Sequence, residues 1–159
     1  AISVVSTKRN LKDSLNPGIK TGNYLNSVLA IIEAQKLGAD DGLMLNSDGF
    51  VSECTTSNFY LVKSGHVKTA DPECGILMGI TRKMLIDVAT ENGITVEECK
   101  ISPEEIFAAD ELFITSTTKG VMPVTVCDRK KIGDGKPGPV SKKLRSLYQQ
   151  KLNRIVSDK

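Results

Sequence analysis

Lys20 stands in "GIKTGNYLNSVLA" (residues 18–30), in a short glycine-flanked loop just ahead of an apolar run. A lysine at such a point is commonly a solvated surface cation. Held in a pocket, the same amine is suited to covalent chemistry. Three other places combine polar side chains with the ends of regular elements. Glu53 closes a short apolar stretch in "VSECTTSN", either as a surface carboxylate or as a buried anion able to hold a protonated ring nitrogen. "GIT", which holds Ile80 and Thr81, opens a helix directly after a glycine. Thr81 can serve there as an ordinary N-cap, or the free N–H groups of the first turn can take a phosphate. Ser116, Thr117 and Thr118 follow a strand and offer hydroxyls and backbone donors, as a polar turn or as an anion cup.

Taken together, an amine, a carboxylate and a phosphate cup are the parts that pyridoxal 5'-phosphate requires. The lysine forms the Schiff base, the carboxylate keeps the pyridine nitrogen protonated so that the ring draws in electrons, and the helix start and hydroxyls bind the phosphate. Other chemistries lose support. There is no GxGxxG and no GxxxxGK[ST], so nucleotide folds lack their main signature. Cys54, Cys74, Cys99 and Cys127 are spaced too widely for a metal knuckle or redox pair, and with one histidine in the chain no metal site is expected. His66 is read as an exposed turn residue. Four free thiols and the lack of a leader or membrane-length apolar run lead us to expect a cytoplasmic protein with no membrane partner. A net charge of +2 gives no field that argues for nucleic acid.

These residues must be positioned by a core built without tryptophan, so the reading rests it on Leu, Ile, Val and Ala. The chain of 159 residues is long enough for one domain with its own core. Residues 1–9 read as a strand and 10–22 as a loop. Residues 24–37 read as a helix with Leu25, Val28, Leu29 and Ile32 on its core face, stopped at Gly38. "DGLMLN" and "FVSE" form one hairpin, and "NFYLVK" with "VKT" form a second, with His66 at its tip. Residues 71–79 read as a long loop, followed by a helix burying Met84, Leu85 and Val88, then the strand "ITVEECKI". "SPEE" is a capping box, with Pro103 in the first helical position and Glu105 reaching back to Ser102. "ELFIT" and "VMPVTVC" are read as one strand each. Residues 140–156 close the chain as an amphipathic helix, with Val140, Leu144, Leu147, Leu152 and Ile155 on one side. Short, mainly antiparallel strands interleaved with helices give an α+β class with a barrel-like mixed sheet.

The ordered blocks "IKTGNYLNSVLAIIEAQKLGADDGLMLN", "VSECTTSNFYLV", "GILMGITRKML", "ADELFITSTTKGVMPV" and "IGDGKPGPVSKKLRSLY" resemble the class IV aminotransferases. These are the fold-type IV pyridoxal-phosphate enzymes that include branched-chain and D-amino-acid aminotransferases and aminodeoxychorismate lyase. The resemblance implies transfer of an amino group between an amino acid and a 2-oxo acid. Lyase-type elimination, or a non-catalytic domain that keeps only the fold, are its alternatives. It places Lys20 on the Schiff-base lysine, Glu53 on the partner of the ring nitrogen, Ile80 and Thr81 on the phosphate-binding helix start, and Ser116 and Thr117 on the second phosphate loop. Thr117 and Thr118 fall where branched-chain members bind the substrate carboxylate. Tyr24 falls on a tyrosine of those members that approaches the cofactor's phenolic oxygen. The resemblance further implies that residues 1–159 form the large C-terminal cofactor-binding domain, without the family's smaller N-terminal domain, and that the full-length protein is a homodimer.

Overall fold

The computed structural model describes residues 1–11 and 13–157. The chain runs β1 (Ile2–Val4), α1 (Leu25–Lys36), β2 (Asp41–Leu45), β3 (Val51–Cys54), β4 (Asn58–Lys63), β5 (His66–Ala70), α2 (Ile80–Glu91), β6 (Val96–Cys99), α3 (Pro103–Ala108), β7 (Glu111–Ser116), β8 (Gly120–Val124), β9 (Val126–Cys127), β10 (Lys130–Lys131) and α4 (Pro139–Ser157). The strands form two five-stranded sheets, ordered β10-β9-β1-β2-β3 and β6-β5-β4-β7-β8. The class is α+β with mixed sheets, as expected. The mixing is more extensive than the alternation of short hairpins suggests. β1 pairs parallel with β2 across α1, and β5 pairs parallel with β6 across α2. Parallel neighbours need a crossover, and each of these helices supplies one.

Strand alternation then sorts the core. Phe59 and Leu61 of β4, with Leu112 and Ile114 of β7, face the first sheet and join Ile2, Leu43, Val51 and Val124 in the main core. Tyr60, Val62 and Phe113 point the other way, under α2 and α4, against Leu85, Leu144 and Tyr148. Aromatic rings are few but central, since Tyr60 and Phe113 stack with centroids 4.6 Å apart. The core therefore rests on more than the aliphatic residues.

Local signals hold where local chemistry sets the outcome. The capping box forms, with the Ser102 N–H donating to Glu105 Oε2 at 2.9 Å and Pro103 in the first helical position. The β4–β5 hairpin turns on Ser64 and Gly65, both with positive φ, so His66 is the exposed first residue of β5 rather than the turn tip. A short 3-10 turn, Pro72–Cys74, capped by the Asp71 side chain, interrupts the loop before α2. "VMPVTVC" does not stay in one sheet. β8 is an edge strand, where Pro123 deprives no inner neighbour of a donor. Beyond Thr125 the chain crosses to the first sheet as β9.

Two helices depart from their expected faces. In α1 it is Ala30 and Ala34 that are buried, while Leu25, Val28, Leu29 and Ile32 are 65%, 44%, 51% and 43% exposed. The small residues face inward because α1 lies close on β2, where a Cβ at Gly42 would sit 2.9 Å from the Ala30 carbonyl oxygen. In α4, Tyr148 replaces Ile155 on the buried side. No helix among the described residues is long and apolar enough to cross a membrane.

The N-terminus of α4 is capped from a distance. The buried carboxylate of Glu111 accepts the N–H groups of Val140 and Ser141, each at 2.8 Å. Glu111→Ala should therefore lower unfolding stability by about 1–2 kcal/mol, the cost of a lost helix cap, and Glu111→Gln by less, since an amide oxygen still accepts. Urea denaturation of the two variants checks this, and an unchanged midpoint for Glu111→Ala would show that the cap contributes nothing.

Candidate active site

Glu53 lies near the end of β3 and is only 5% exposed. Its Oε1 meets Arg9 Nη2 at 2.6 Å and accepts the Leu77 N–H at 3.1 Å. Its Oε2 accepts Asn58 Nδ2 at 2.9 Å, and the same Nδ2 donates to the Leu77 carbonyl at 2.8 Å. Arg9 is itself held in place. Its N–H donates to the Leu45 carbonyl at 2.9 Å and its Nε to the Gly75 carbonyl at 3.3 Å. Burial pushes the Glu53 carboxyl up, while the charge of Arg9 and the Leu77 N–H pull it back, leaving it raised to about 7.

The loop that Glu53 grips leads directly into α2. Gly79 is the N-cap residue and supplies no side-chain cap, so the first-turn N–H groups have no side-chain acceptor from it. Thr81 is thus a buried first-turn residue and not the cap. Gly79 is required by a close approach, because a Cβ there would fall 2.3 Å from Asn58 Oδ1. Opposite this helix start, the β7–β8 turn carries Ser116, Thr117 and Thr118. Ser116 Oγ accepts the Lys119 N–H at 3.2 Å, which tightens the turn.

The loop carrying Lys20 is shaped by its own asparagine and threonine side chains. Asn16 Oδ1 accepts the Gly18 N–H at 2.9 Å, and Thr21 Oγ1 accepts the Asn23 N–H at 3.3 Å. Tyr24 is the N-cap residue of α1. Lys20, Tyr24, Glu53, Ile80, Thr81, Ser116 and Thr117 all line one cavity of about 450 Å³. Thr118 sits on the same turn but not on the cavity wall. Ser57 Oγ is buried without a hydrogen-bond partner, and Ser57 borders this cavity. A phosphorylated ligand is a natural acceptor for such a hydroxyl, and the uncapped helix start adds N–H donors and positive potential. The residues present therefore fit a group with a phosphate at one end and a ring nitrogen at the other.

Two participants escape sequence reasoning. Asn58 carried a weak signal, a polar residue just beyond Glu53 in "TTSN". Arg9 carried none, because its role arises only when the segment after β1 lies beside β3.

Lys20, the buried carboxylate of Glu53, the start of α2 and the turn after β7 thus share one cavity. The family model for amino-transferase class IV matches residues 1–127, and the chain belongs to the class IV aminotransferase family. It is 37% identical over 142 residues to a branched-chain-amino-acid aminotransferase of Pseudomonas aeruginosa, covering 89% of this chain and 46% of that one. It is 39% identical over 140 residues to a D-alanine aminotransferase of Bacillus licheniformis, covering 88% and 48%. The structure of the branched-chain amino acid aminotransferase from Thermobaculum terrenum in its PLP form superposes with a TM-score of 0.90 at 38% identity, covering 94% of this chain and 49% of that one. The chain thus spans about half the length of the curated relatives it matches.

The raised carboxyl of Glu53 sets a pH dependence. The folded protein keeps the proton up to about pH 7, whereas the unfolded chain releases it near 4.5. Between those values the folded state binds more protons, so this group's contribution to stability is full below pH 4.5 and declines as pH rises through 7. Carbon-13 NMR of the ligand-free protein should show Glu53 titrating near 7. Arg9→Met should move the midpoint higher, because the opposing charge is gone. A midpoint in the ordinary carboxylate range would contradict this reading.

Proposed function

We propose that this chain is the cofactor-binding large domain of a pyridoxal-phosphate-dependent aminotransferase. The reaction moves an amino group between an amino acid, of branched-chain or D type, and a 2-oxo acid. The observation that carries the reading is the convergence of Lys20, Glu53, the start of α2 and the 116–117 turn on one cavity.

The division of labour follows from residue chemistry. When bound, pyridoxal phosphate supplies the electron sink that makes the substrate Cα proton labile. Lys20 supplies the amine that anchors the group covalently, and it holds and moves the proton at the substrate Cα. Glu53, kept in place by Arg9, Asn58 and the Leu77 N–H, holds the proton on the ring nitrogen. The N–H groups of Ile80 and Thr81 and the donors of Ser116 and Thr117 bind the phosphate, aided by the helix dipole. The 117–118 backbone receives the substrate carboxylate. Tyr24, at the mouth beside Lys20, favours the branched-chain reading, since D-amino-acid members of the family carry an aliphatic residue at this place. The exposed apolar face of α1 supports a homodimer of the full-length protein, because such a stripe is normally covered. The four free thiols accord with a cytoplasmic setting.

Borohydride reduction in the presence of pyridoxal 5'-phosphate, followed by peptide mapping, should place a pyridoxyl label on Lys20 alone, and Lys20→Ala should abolish it. A label on Lys63, Lys68 or Lys119 would refute the assignment. With the full-length protein, a panel of L- and D-amino acids then reads the substrate class from the change in cofactor absorbance.

Glu53→Gln keeps the shape but loses the charge that holds the ring proton. Turnover should fall by roughly two decades, the equivalent of about 2–3 kcal/mol of transition-state stabilisation. Steady-state transamination by the full-length variant checks this, and an undiminished rate would remove Glu53 from the mechanism.

A further inference from the structure

Asp41 opens β2 and is 3% exposed, yet both of its carboxylate oxygens are engaged. Oδ1 accepts the Gly42 N–H at 2.9 Å, the Thr55 N–H at 3.2 Å and the Thr55 hydroxyl at 2.5 Å. Oδ2 accepts the Lys119 ammonium at 3.1 Å. The two partners come from different segments, one just after β3 and one on the turn after β7. Thr55 lies two residues beyond Glu53 and lines it. Lys119 sits on the β7–β8 turn of the other sheet, next to Thr117 and Thr118, and reaches back behind the wall rather than into it.

The β7–β8 turn needs such a tie. Thr117 and Thr118 are exposed, and β8 is an edge strand, so the turn has ladder support from β7 alone. Its own hydrogen bonds fix its shape but not its distance from the other sheet. A buried carboxylate without a counter-charge is strongly unfavourable, and this keeps Lys119, and with it the turn, drawn towards Asp41.

We propose that Asp41 and Lys119 are positioning residues whose ion pair clamps the 116–118 turn of one sheet to the Thr55 wall of the other, holding the turn's donors ready for an anionic ligand. The proposal rests on reading the cavity as a pyridoxal-phosphate and carboxylate site. A turn already in place loses little order when the anion arrives, so the clamp acts on affinity.

The test compares Lys119→Met, which keeps the stem without the charge, with Lys119→Arg and Asp41→Asn in the full chain. Two readouts are used: hydrogen exchange of the turn amides without cofactor, and the dissociation constant for pyridoxal 5'-phosphate. Lys119→Met should speed exchange of the residue-119 amide, which Ser116 Oγ holds, by about tenfold, leave β4 and α4 unchanged, and weaken binding by about tenfold. Lys119→Arg should restore both to within about twofold of the parent. Combining Lys119→Met with Asp41→Asn should cost no more affinity than Asp41→Asn alone. If Asp41→Asn fails to fold, the Met and Arg variants still decide the matter. Unchanged exchange at the turn, or faster exchange that leaves affinity untouched, overturns the proposal. A parent protein that binds no pyridoxal 5'-phosphate would sink the cofactor reading instead, and the exchange comparison would still decide whether the clamp exists.

Discussion

The buried carboxylate of Glu53 constrains everything around the pocket. Removing a charge from water is tolerable only when partners surround it, and here those partners come from three separate segments. Arg9 arrives from the stretch after β1, Asn58 from the start of β4, and the Leu77 N–H from the loop before α2. Meeting the carboxylate's needs therefore fixes where that loop runs. Ser52 strengthens the hold, since its hydroxyl donates to the same Gly75 carbonyl that accepts Arg9 Nε. α2 begins where it does, with Ile80 and Thr81 on the cavity wall, because the residues before it are bound to Glu53 and Asn58. The group proposed to hold a ring nitrogen and the helix proposed to hold a phosphate are thus parts of one mechanical unit.

The cavity also depends on how two sheets are joined. The chain passes from the first to the second between β3 and β4, and returns at Thr125 between β8 and β9. These passages bring the end of β3 and the turn after β7 to the same side. The main core between the sheets is apolar, while the cavity's border carries threonines, serines and asparagine. Asp41 lies at this junction and is satisfied by both sides. Polar residues there bind the two layers to each other where apolar packing gives way to the site.

The packing of α1 shows a different constraint. Gly42, Ala30 and Ala34 let the helix backbone settle closely on β2, and Glu33 fastens it further. Partial burial pushes the Glu33 carboxyl up, but hydrogen bonds from Ser6 and Thr7 outweigh this and bring it down to about 2. So tight a seat leaves no room beneath the helix for its larger apolar side chains, which turn outward. Tyr24 caps this same helix and Lys20 lies in the loop just before it, and both line the cavity.

The amino-acid sequence by itself determined the features that depend on neighbours along the chain. The capping box at Ser102, the existence of the β4–β5 hairpin and the helix after Gly79 follow from propensity, periodicity and turn chemistry acting over a few residues. Only the tertiary structure decided the rest. It chose parallel pairing across α1 and α2, split "VMPVTVC" between two sheets, and turned Leu25, Val28, Leu29 and Ile32 of α1 outward. It also brought Arg9 to Glu53 and Lys119 to Asp41. The reason is the same in each case. An apolar stripe shows that a helix has a side to cover, but not which side its seat can accommodate. A buried carboxylate needs a cation, but which cation reaches it depends on strands whose pairing no local pattern encodes.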